Sequence, residues 1–421
     1  MATGFAPDTQ LNWLARYVPI KDQLGEASLA SLLEVGSGSR GLSCILSPLG
    51  ASARGARFAG IDMKFAGPPA PSMIPFAYDG GELPFRTGAF HTVVSMDTLE
   101  HVPPVQRRSF LQDLARVASA RVIAGFPAVG EGGGDGLHGE RFLQGLFRAL
   151  GMGDPDWLHE HEEHGVPRVS DVEPILDQLD GWSWRRLPTT GGLVNLMAVL
   201  IDVLPGTRPW VAPLLEARGA EIEAWLRAGM FGPADRAVYA IERRQPAAPL
   251  VSLRPGASWD AVARALVCPD CGGVFDPPSK SVAAQGLTCA GCRRVFRPDG
   301  QGILGMTPSP GRVTFRLAPD WLGSAGWVTA VHNYLNAFAA DDPCVLWLDV
   351  DPAKLTPAEA LERLRPVLAG FGERAFAEIF LNDDLHSRPR GRVVAMPAGK
   401  DALCGCSAAW FRAQATPARA A

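Results

Sequence analysis

Short apolar runs alternate with helical stretches between Ser28 and Pro127. The predicted strands in this region are Leu32–Val35, Phe58–Ile61, Thr92–Ser95 and Arg121–Ala124. Apolar residues recur at helical spacing from Phe110 to Val117, which predicts an amphipathic crossover helix. Strands that alternate with helices are typical of a parallel sheet with crossover connections. The pattern therefore predicts an α/β fold for the first part of the chain.

A second group of elements follows a glycine-rich stretch at 129–139, which we predict to be a flexible loop. Two further strands are predicted at Trp182–Leu187 and 236–242. Helices are predicted near 140–150, 192–203 and 212–228. We interpret these helices as an insertion late in the same sheet.

Chain length and proline content predict three domains. The chain has 421 residues, and domains average roughly 150 residues. Proline-rich joints lie at 245–255 and 306–310. The predicted domains are residues 1–245 for the α/β domain with its helical insertions, 256–306 for a small cysteine-rich domain and 311–421 for a C-terminal α/β unit.

Charge and hydropathy narrow the possible partners and location. Lys and Arg total 40 and Asp and Glu total 44, so the net charge of −4 gives no broad positive field for a polyanion, which disfavours RNA as a partner. The longest apolar stretch, 192–202, is shorter than the ~20 residues of a membrane helix. The first 20 residues contain no secretory apolar region. We expect a cytoplasmic protein without a membrane span.

A glycine-rich loop and a series of carboxylates follow the predicted strands. The loop runs from Glu34 to Gly41 between the first strand and a helical segment, which is the context of a nucleotide-binding loop or of a simple tight turn. Asp62 ends the second strand, Asp79 follows the third and Asp97 follows the fourth. Each carboxylate stands at the ligand-binding edge of a parallel sheet. Each is also compatible with a helix N-cap.

These segments together resemble the class I S-adenosylmethionine-dependent methyltransferases, of the type 11 kind. The motifs are Leu33–Gly38, Gly60–Asp62, Leu83–Phe85, Phe90–Val94 and Asp97–Val102, and the resemblance spans about 28–243. It implies a Rossmann-like sheet that binds S-adenosylmethionine. A dinucleotide site is the competing interpretation of the glycine loop, and the Leu-Pro-Phe and Leu-Glu-His segments favour the methyltransferase.

The resemblance implies a set of cofactor-binding residues. Glu34 and the loop would hold the methionine part, Asp62 the ribose and Asp79 the adenine side, while Asp97 would close the pocket. The implied residues are Glu34, Gly36, Ser37, Gly38, Asp62, Met63, Asp79, Gly80 and Asp97.

Histidines supply the candidate acid–base chemistry. His101 lies just past the fourth strand and is the candidate catalytic base if the methyl acceptor must lose a proton, although a locally bonded helix-start residue is the alternative. His159, His161 and His164 form a second cluster. Its members are candidates for a metal site, for a wall of the substrate cap or for a solvated helix start.

Two Cys-x-x-Cys pairs predict a structural zinc ribbon. Their ligands are Cys268, Cys271, Cys289 and Cys292, with 17 residues between the pairs. Four thiolates complete a tetrahedral site and leave no open position for catalysis. The segment is similar to the short zinc-ribbon family associated with methyltransferases. Arg293, Arg294 and Arg297 follow it as candidate phosphate contacts or as a solvated face.

The C-terminal unit has its own α/β pattern. Strands are predicted at 344–350 and 377–381, with a helix at 357–371 between them. The segment 338–348 resembles part of the nucleotide-sugar glycosyltransferases. Because about a hundred residues are too few for a complete two-domain glycosyltransferase, we interpret this unit as a docking or regulatory domain.

The leading hypothesis is an enzyme that transfers a methyl group from S-adenosylmethionine to a small molecule or a sugar-containing glycan precursor. One alternative is an RNA methyltransferase that contacts RNA through the zinc ribbon. The other is a non-catalytic scaffold that binds the cofactor and assembles glycan enzymes. A protein partner could bind the ribbon or the C-terminal domain in each case.

Overall fold

The structure is a computed structural model. It describes residues 9–46, 57–130, 136–149, 151, 156–204, 208–231, 234–253, 257, 259–276, 286–307, 313–322, 326–338, 342, 344–351, 354–371, 378–382, 392–395, 407–408 and 411. The chain forms two compact units. One is built on an eight-stranded sheet and the other on a four-stranded sheet.

Ten strands lie in the first unit. They are β1 (Leu32–Val35), β2 (Phe58–Asp62), β3 (Met73–Ala77), β4 (Phe90–Met96), β5 (Ala118–Pro127), β6 (Trp182–Leu187), β7 (Arg236–Arg243), β8 (Leu287–Thr288), β9 (Val295–Phe296) and β10 (Leu304–Gly305). Eight of them form one sheet in the order β10-β3-β2-β1-β4-β5-β7-β6, and β8 pairs with β9 in a separate hairpin. In the large sheet β7 runs antiparallel to β5 and β6, while the remaining neighbours are parallel.

Strand order indicates where a candidate ligand site lies. The chain passes from β1 to β2 and β3 on one side, and then returns to β4 on the other side of β1. Leu33 of β1 is paired with Ala59 of β2 and with Val93 of β4, in parallel register on both sides. In open α/β sheets the crevice outside the carboxyl ends of the strands at such a reversal binds the ligand. The candidate site therefore lies where β1, β2 and β4 end.

Eleven α-helices are described in the first unit. They are α1 (Leu11–Lys21), α2 (Glu26–Leu29), α3 (Ser43–Leu46), α4 (Pro104–Val117), α5 (Gly136–Ala149), α6 (Asp156–His164), α7 (Val169–Asp177), α8 (Gly192–Val203), α9 (Arg208–Ala217), α10 (Gly219–Ala228) and α11 (Trp259–Ala263). Two 3-10 turns span Leu99–His101 and Gly229–Phe231. The Asp202 side chain of α8 accepts hydrogen bonds from the Leu11 and Asn12 amides at 3.1 and 2.7 Å, which caps the start of α1.

The observed elements confirm the α/β class and refine two predictions. The single helix predicted at 212–228 is two helices, because α9 ends at Ala217 and α10 begins at Gly219. The loop predicted at 129–139 is also shorter than expected. Helix α5 begins at Gly136, and residues 131–135 lie outside the described part of the chain. Packing of Leu143 and Phe147 with Leu158 of α6 stabilises α5 despite its glycines.

The segment after β7 stays attached to the first sheet. In the proline-rich joint, the Val251 amide donates to the Ala89 carbonyl at 2.9 Å and the Leu253 amide to the Ala30 carbonyl at 2.6 Å. Farther along, β10 pairs in parallel with β3 and aligns Leu304 with Phe76. Residues 304–305 of the predicted 256–306 domain therefore extend the first sheet.

The second unit contains a four-stranded parallel sheet in the order β13-β12-β11-β14. Its elements are β11 (Val313–Leu317), β12 (Cys344–Asp349), β13 (Glu378–Asn382), β14 (Arg392–Ala395), α12 (Gly326–Ala337) and α13 (Pro357–Ala369). Phe315, Tyr334 and Phe411 are fully buried in its core. Thr356 and Glu359 form a capping box that begins α13.

Within the described residues of both units, no helix is long and apolar enough to cross a bilayer.

Candidate functional site

The loop after β1 packs against the loop after β4. Gly36 has a φ of +76°, and a Cβ built on it would lie 1.9 Å from the Thr98 hydroxyl oxygen. The Gly36 amide donates to the Ile61 carbonyl of β2 at 2.9 Å, and the Thr98 hydroxyl donates to the Val35 carbonyl at 3.2 Å. Glycine is therefore required at 36 because three strand ends converge there.

Glu34 lies beneath this loop with its side chain fully buried. Its carboxylate accepts hydrogen bonds from the Tyr17 hydroxyl at 2.5 Å and from the Leu42 amide at 2.7 Å. Burial raises the pKa of Glu34 to about 8, an effect that the Tyr17 and Leu42 bonds partly oppose. A Cβ on Gly41 would meet the Glu34 carboxylate at 1.9 Å. Glu34 thus supports the loop from its buried side.

Asp62 ends β2 with a carboxylate that both neighbouring loops orient. Its Oδ2 accepts from the Gly38 amide at 2.7 Å and its Oδ1 accepts from the Lys64 amide at 3.0 Å. Gly38 has a φ of +52° and no atom within 4 Å of a Cβ built on it, so this side of the loop is open. Each carboxylate oxygen keeps a second lone pair for a ligand hydroxyl.

Met63, Asp79 and Gly80 form the side of the candidate crevice next to Asp62. Met63 is 59% exposed, and its sulfur would lie 2.9 Å from a Cβ on Gly80, whose φ is +82°. Asp79 accepts a hydrogen bond from the Gly81 amide at 3.1 Å, so its side chain shapes the turn after β3. Ser37 is buried and donates to the Gly38 carbonyl at 3.1 Å, so it contributes to the internal structure of the loop.

Asp97 lies between two arginines that the sequence motifs did not indicate. Its Oδ2 is 2.9 Å from Arg16 Nε of α1, and its Oδ1 pairs with Arg236 of β7. Asp97 has a φ of +51°, and its amide donates to the Gly125 carbonyl at 2.8 Å. Burial lowers the pKa values of both Arg16 and Arg236. Asp97 therefore anchors α1 and β7 at the carboxyl edge of the sheet.

His101 ends the 3-10 turn after β4 and contacts α6. Its Nδ1 lies 2.6 Å from a carboxylate oxygen of Glu160, and its Nε2 lies 3.4 Å from Nε2 of His161. Burial and the neighbouring His161 lower the pKa of His101, while Glu160 and Asp62 oppose this effect. An Nδ1–H donated to Glu160 leaves the Nε2 lone pair directed away from that carboxylate.

The three-histidine cluster is not formed. His159, His161 and His164 all lie on α6, where a rotation of about 100° per residue turns His159 about 160° away from His161. The His159 side chain is 61% exposed, whereas His161 is buried against His101. The partnership of His101 with Glu160 and His161 was not predicted. The only sequence signal for it was the presence of histidines in both segments.

The sulfur atoms of Cys268, Cys271, Cys289 and Cys292 lie within 4.8 Å of one another. Around the second pair, the Cys292 amide lies 3.5 Å from the Cys289 sulfur. The Cys289 amide donates to the Arg294 carbonyl at 2.9 Å, which closes the turn of the β8–β9 hairpin. This arrangement could hold one metal ion.

No protein-family model matches the chain, and no curated protein matches its sequence. Solved structures that are similar to it include S-adenosylmethionine-dependent methyltransferases. A cyclopropane-fatty-acyl-phospholipid synthase-like protein from Lactobacillus casei is 16% identical over 55% of this chain and 90% of its own, with a TM-score of 0.29. The magnesium protoporphyrin IX methyltransferase of Synechocystis, solved with S-adenosylhomocysteine, is 14% identical over 54% and 85%, with a TM-score of 0.27. A [4+2]-cyclase is 14% identical over 54% and 80%, with a TM-score of 0.31. Assignment of an activity therefore depends on the residues of the site.

Proposed function

We propose that the first unit is an S-adenosylmethionine-dependent methyltransferase that acts on a small molecule or a sugar-containing glycan precursor. The observation that carries this proposal is the Asp62 carboxylate, which the Gly38 amide holds at 2.7 Å across the open end of β1 and β2. This is the crevice in which doubly wound sheets bind nucleotides. A fixed acceptor pair of this kind suits the two hydroxyls of a ribose.

The surrounding residues fit the remaining parts of this cofactor. The open side of the loop at Gly38 leaves room for the methionine part beside the backbone amides. Met63 offers an exposed apolar side chain to the adenine ring, with Asp79 and Gly80 beside it. When bound, the sulfonium supplies an electrophilic methyl group, and alignment of the acceptor with it provides much of the rate.

His101 is the proposed base for an acceptor that must lose a proton. Burial and His161 lower the pKa of its imidazole, so the ring is neutral and able to accept a proton at pH 7. Glu160 holds Nδ1 and leaves Nε2 for the proton of the acceptor. The proton would move to Nε2 as the acceptor oxygen forms its bond to the methyl carbon and the carbon–sulfur bond breaks.

We propose that the four cysteines hold one structural zinc ion. Arg293 forms an ion pair with Asp276 at 2.8 Å, and the Arg294 guanidinium lies 4.4 Å from the centre of the Phe296 ring. Both arginines therefore have partners within the hairpin region, and no described contact favours RNA over a small acceptor. We further propose that the protein is cytoplasmic and that its C-terminal unit binds a protein partner.

Transfer of a labelled methyl group tests the proposed reaction. Purified protein is incubated with methyl-labelled S-adenosylmethionine and with separate panels of hydroxylated small molecules, glycan precursors and RNA. We expect label in a small-molecule or glycan product, and we expect Asp62→Ala to lose it. Label that enters only RNA would replace the proposed acceptor. Cofactor binding without transfer to any panel would favour the scaffold alternative.

A further inference from the structure

A second cluster of metal-ligating groups lies beside the proposed cofactor site. Glu100 and His101 belong to the 3-10 turn after β4, and His161 belongs to α6. One carboxylate oxygen and one ring nitrogen from each histidine all lie within 4.8 Å of one another. Glu100 and His161 are buried, whereas the His101 side chain is 29% exposed. The cluster is therefore preformed and open at one edge.

The spacing of the two imidazoles fits a shared ion better than a direct hydrogen bond. Their Nε2 atoms are 3.4 Å apart. Two nitrogens bound to one ion at 2.0–2.1 Å with a tetrahedral angle are separated by about 3.3 Å. Hydrogen bonds that nitrogen donates are usually shorter, at roughly 2.9–3.0 Å. The His101 and His161 nitrogens thus have the separation of two ligands of one ion.

Glu160 supplies the outer contact that metal-bound histidines usually have. Its carboxylate lies 2.6 Å from Nδ1 of His101, on the opposite side of the ring from the nitrogen that faces His161. A carboxylate that accepts this N–H fixes the ring tautomer and strengthens the other nitrogen as a ligand.

The helix that carries His161 is held in place from both ends. Leu158 packs with α5 and α8 in a small apolar cluster. Arg107 of α4 donates to the His164 carbonyl at 3.0 Å, pairs with the Gly165 carbonyl and also donates to Val102 at 3.1 Å. One guanidinium therefore joins the end of α6 to the residue that follows the 3-10 turn. These contacts fix the three ligands relative to one another.

We propose that Glu100, His101 and His161 bind a divalent transition-metal ion. Two histidines and one carboxylate suit Zn²⁺, Fe²⁺ or Co²⁺ and leave positions for water or for an oxygen of the acceptor. This inference extends the proposed function, because a catalytic role for the ion depends on methyl transfer at the neighbouring cofactor site. With the ion bound, Nε2 of His101 would be a ligand, and the ion would lower the pKa of a bound acceptor hydroxyl so that its proton would pass to water. The role of His101 as a base, proposed above, therefore applies to the protein without this ion.

Metal titration of the full chain tests the site without any acceptor. Wild type and variants are stripped with a chelator and dialysed against Co²⁺ or Zn²⁺, and bound metal is measured per chain. We expect wild type to bind one ion more than His161→Ala. The matched control is His159→Ala on the same helix, whose exposed side chain points elsewhere, and it should bind as many ions as wild type.

Glu160→Gln provides a second variant that leaves all three ligands in place. We expect it to weaken Co²⁺ binding at this site by about 10- to 100-fold. Equal metal content in wild type and His161→Ala, or unchanged affinity in Glu160→Gln, would overturn the proposal. Each sample is also titrated with S-adenosylhomocysteine. Failure to bind that ligand would refute the cofactor site while the metal count still decides the metal site.

Discussion

Replacing Glu34 with glutamine should make the stability of the protein less dependent on pH. Burial raises the pKa of Glu34 from 4.5 to about 8, so the native state keeps a proton that the unfolded chain releases between these values. The resulting stability is fully present below the unfolded pKa and is lost as the pH rises through the folded pKa. Integrated from pH 5 to pH 9, the loss is about 4 kcal/mol. The side chain is fully buried, so solvent screening does not reduce this value.

Glutamine keeps the size of the side chain and both hydrogen-bonding positions, because its carbonyl can accept from the Leu42 amide and its amide can donate to the Tyr17 oxygen. We expect urea titrations at pH 5, 7 and 9 to show that Glu34→Gln gains stability relative to wild type as pH rises. Glu221→Gln is the control, since that side chain is 66% exposed, and it should follow wild type. A difference between Glu34→Gln and wild type that stays constant across this pH range would refute the reasoning.

Three further substitutions test separate parts of the account. Cys289→Ser should remove about one zinc per chain by metal analysis, and an unchanged zinc content would contradict the ribbon. Gly36→Ala places a Cβ 1.9 Å from the Thr98 hydroxyl oxygen, so it should weaken S-adenosylhomocysteine binding in calorimetry, and wild-type affinity would show that the loops need not pack this closely. Asp97→Ala leaves the buried Arg236 guanidinium without its carboxylate, so urea titrations should show a loss of about 3–5 kcal/mol, whereas a loss below about 1 kcal/mol would contradict the anchoring role.

The sheet could be predicted because its strands are locally encoded. Strand β1 forms where Leu32–Val35 was predicted, and β6 forms where Trp182–Leu187 was predicted. These short runs are bounded by turn residues, so the pattern itself limits their length. Glycine and aspartate at the predicted strand ends indicated the same edge of the sheet at which the observed strand order places the candidate crevice.

Contacts between residues that are distant in the sequence could not be predicted in the same way. Arg236 meets Asp97 across 139 positions of sequence, and Glu160 meets His101 across 59. Such pairings depend on the position of β7 within the sheet and on the packing of α6 beside the turn after β4, which no local pattern specifies. The need for glycine at 36 could not be predicted from local sequence either, because it depends on the close approach of Thr98 from the loop after β4.

Calorimetric titration with S-adenosylhomocysteine tests the central claim most directly. The account predicts one binding site per wild-type chain. It also predicts that Asp62→Ala will weaken binding about ten- to a hundredfold, because charge-assisted hydrogen bonds worth roughly 1.5–3 kcal/mol are lost. Glu221→Gln serves as the control and should bind like wild type. If wild type bound neither S-adenosylhomocysteine nor S-adenosylmethionine but bound NAD at micromolar concentration, the crevice would be a dinucleotide site and the methyltransferase assignment would be wrong.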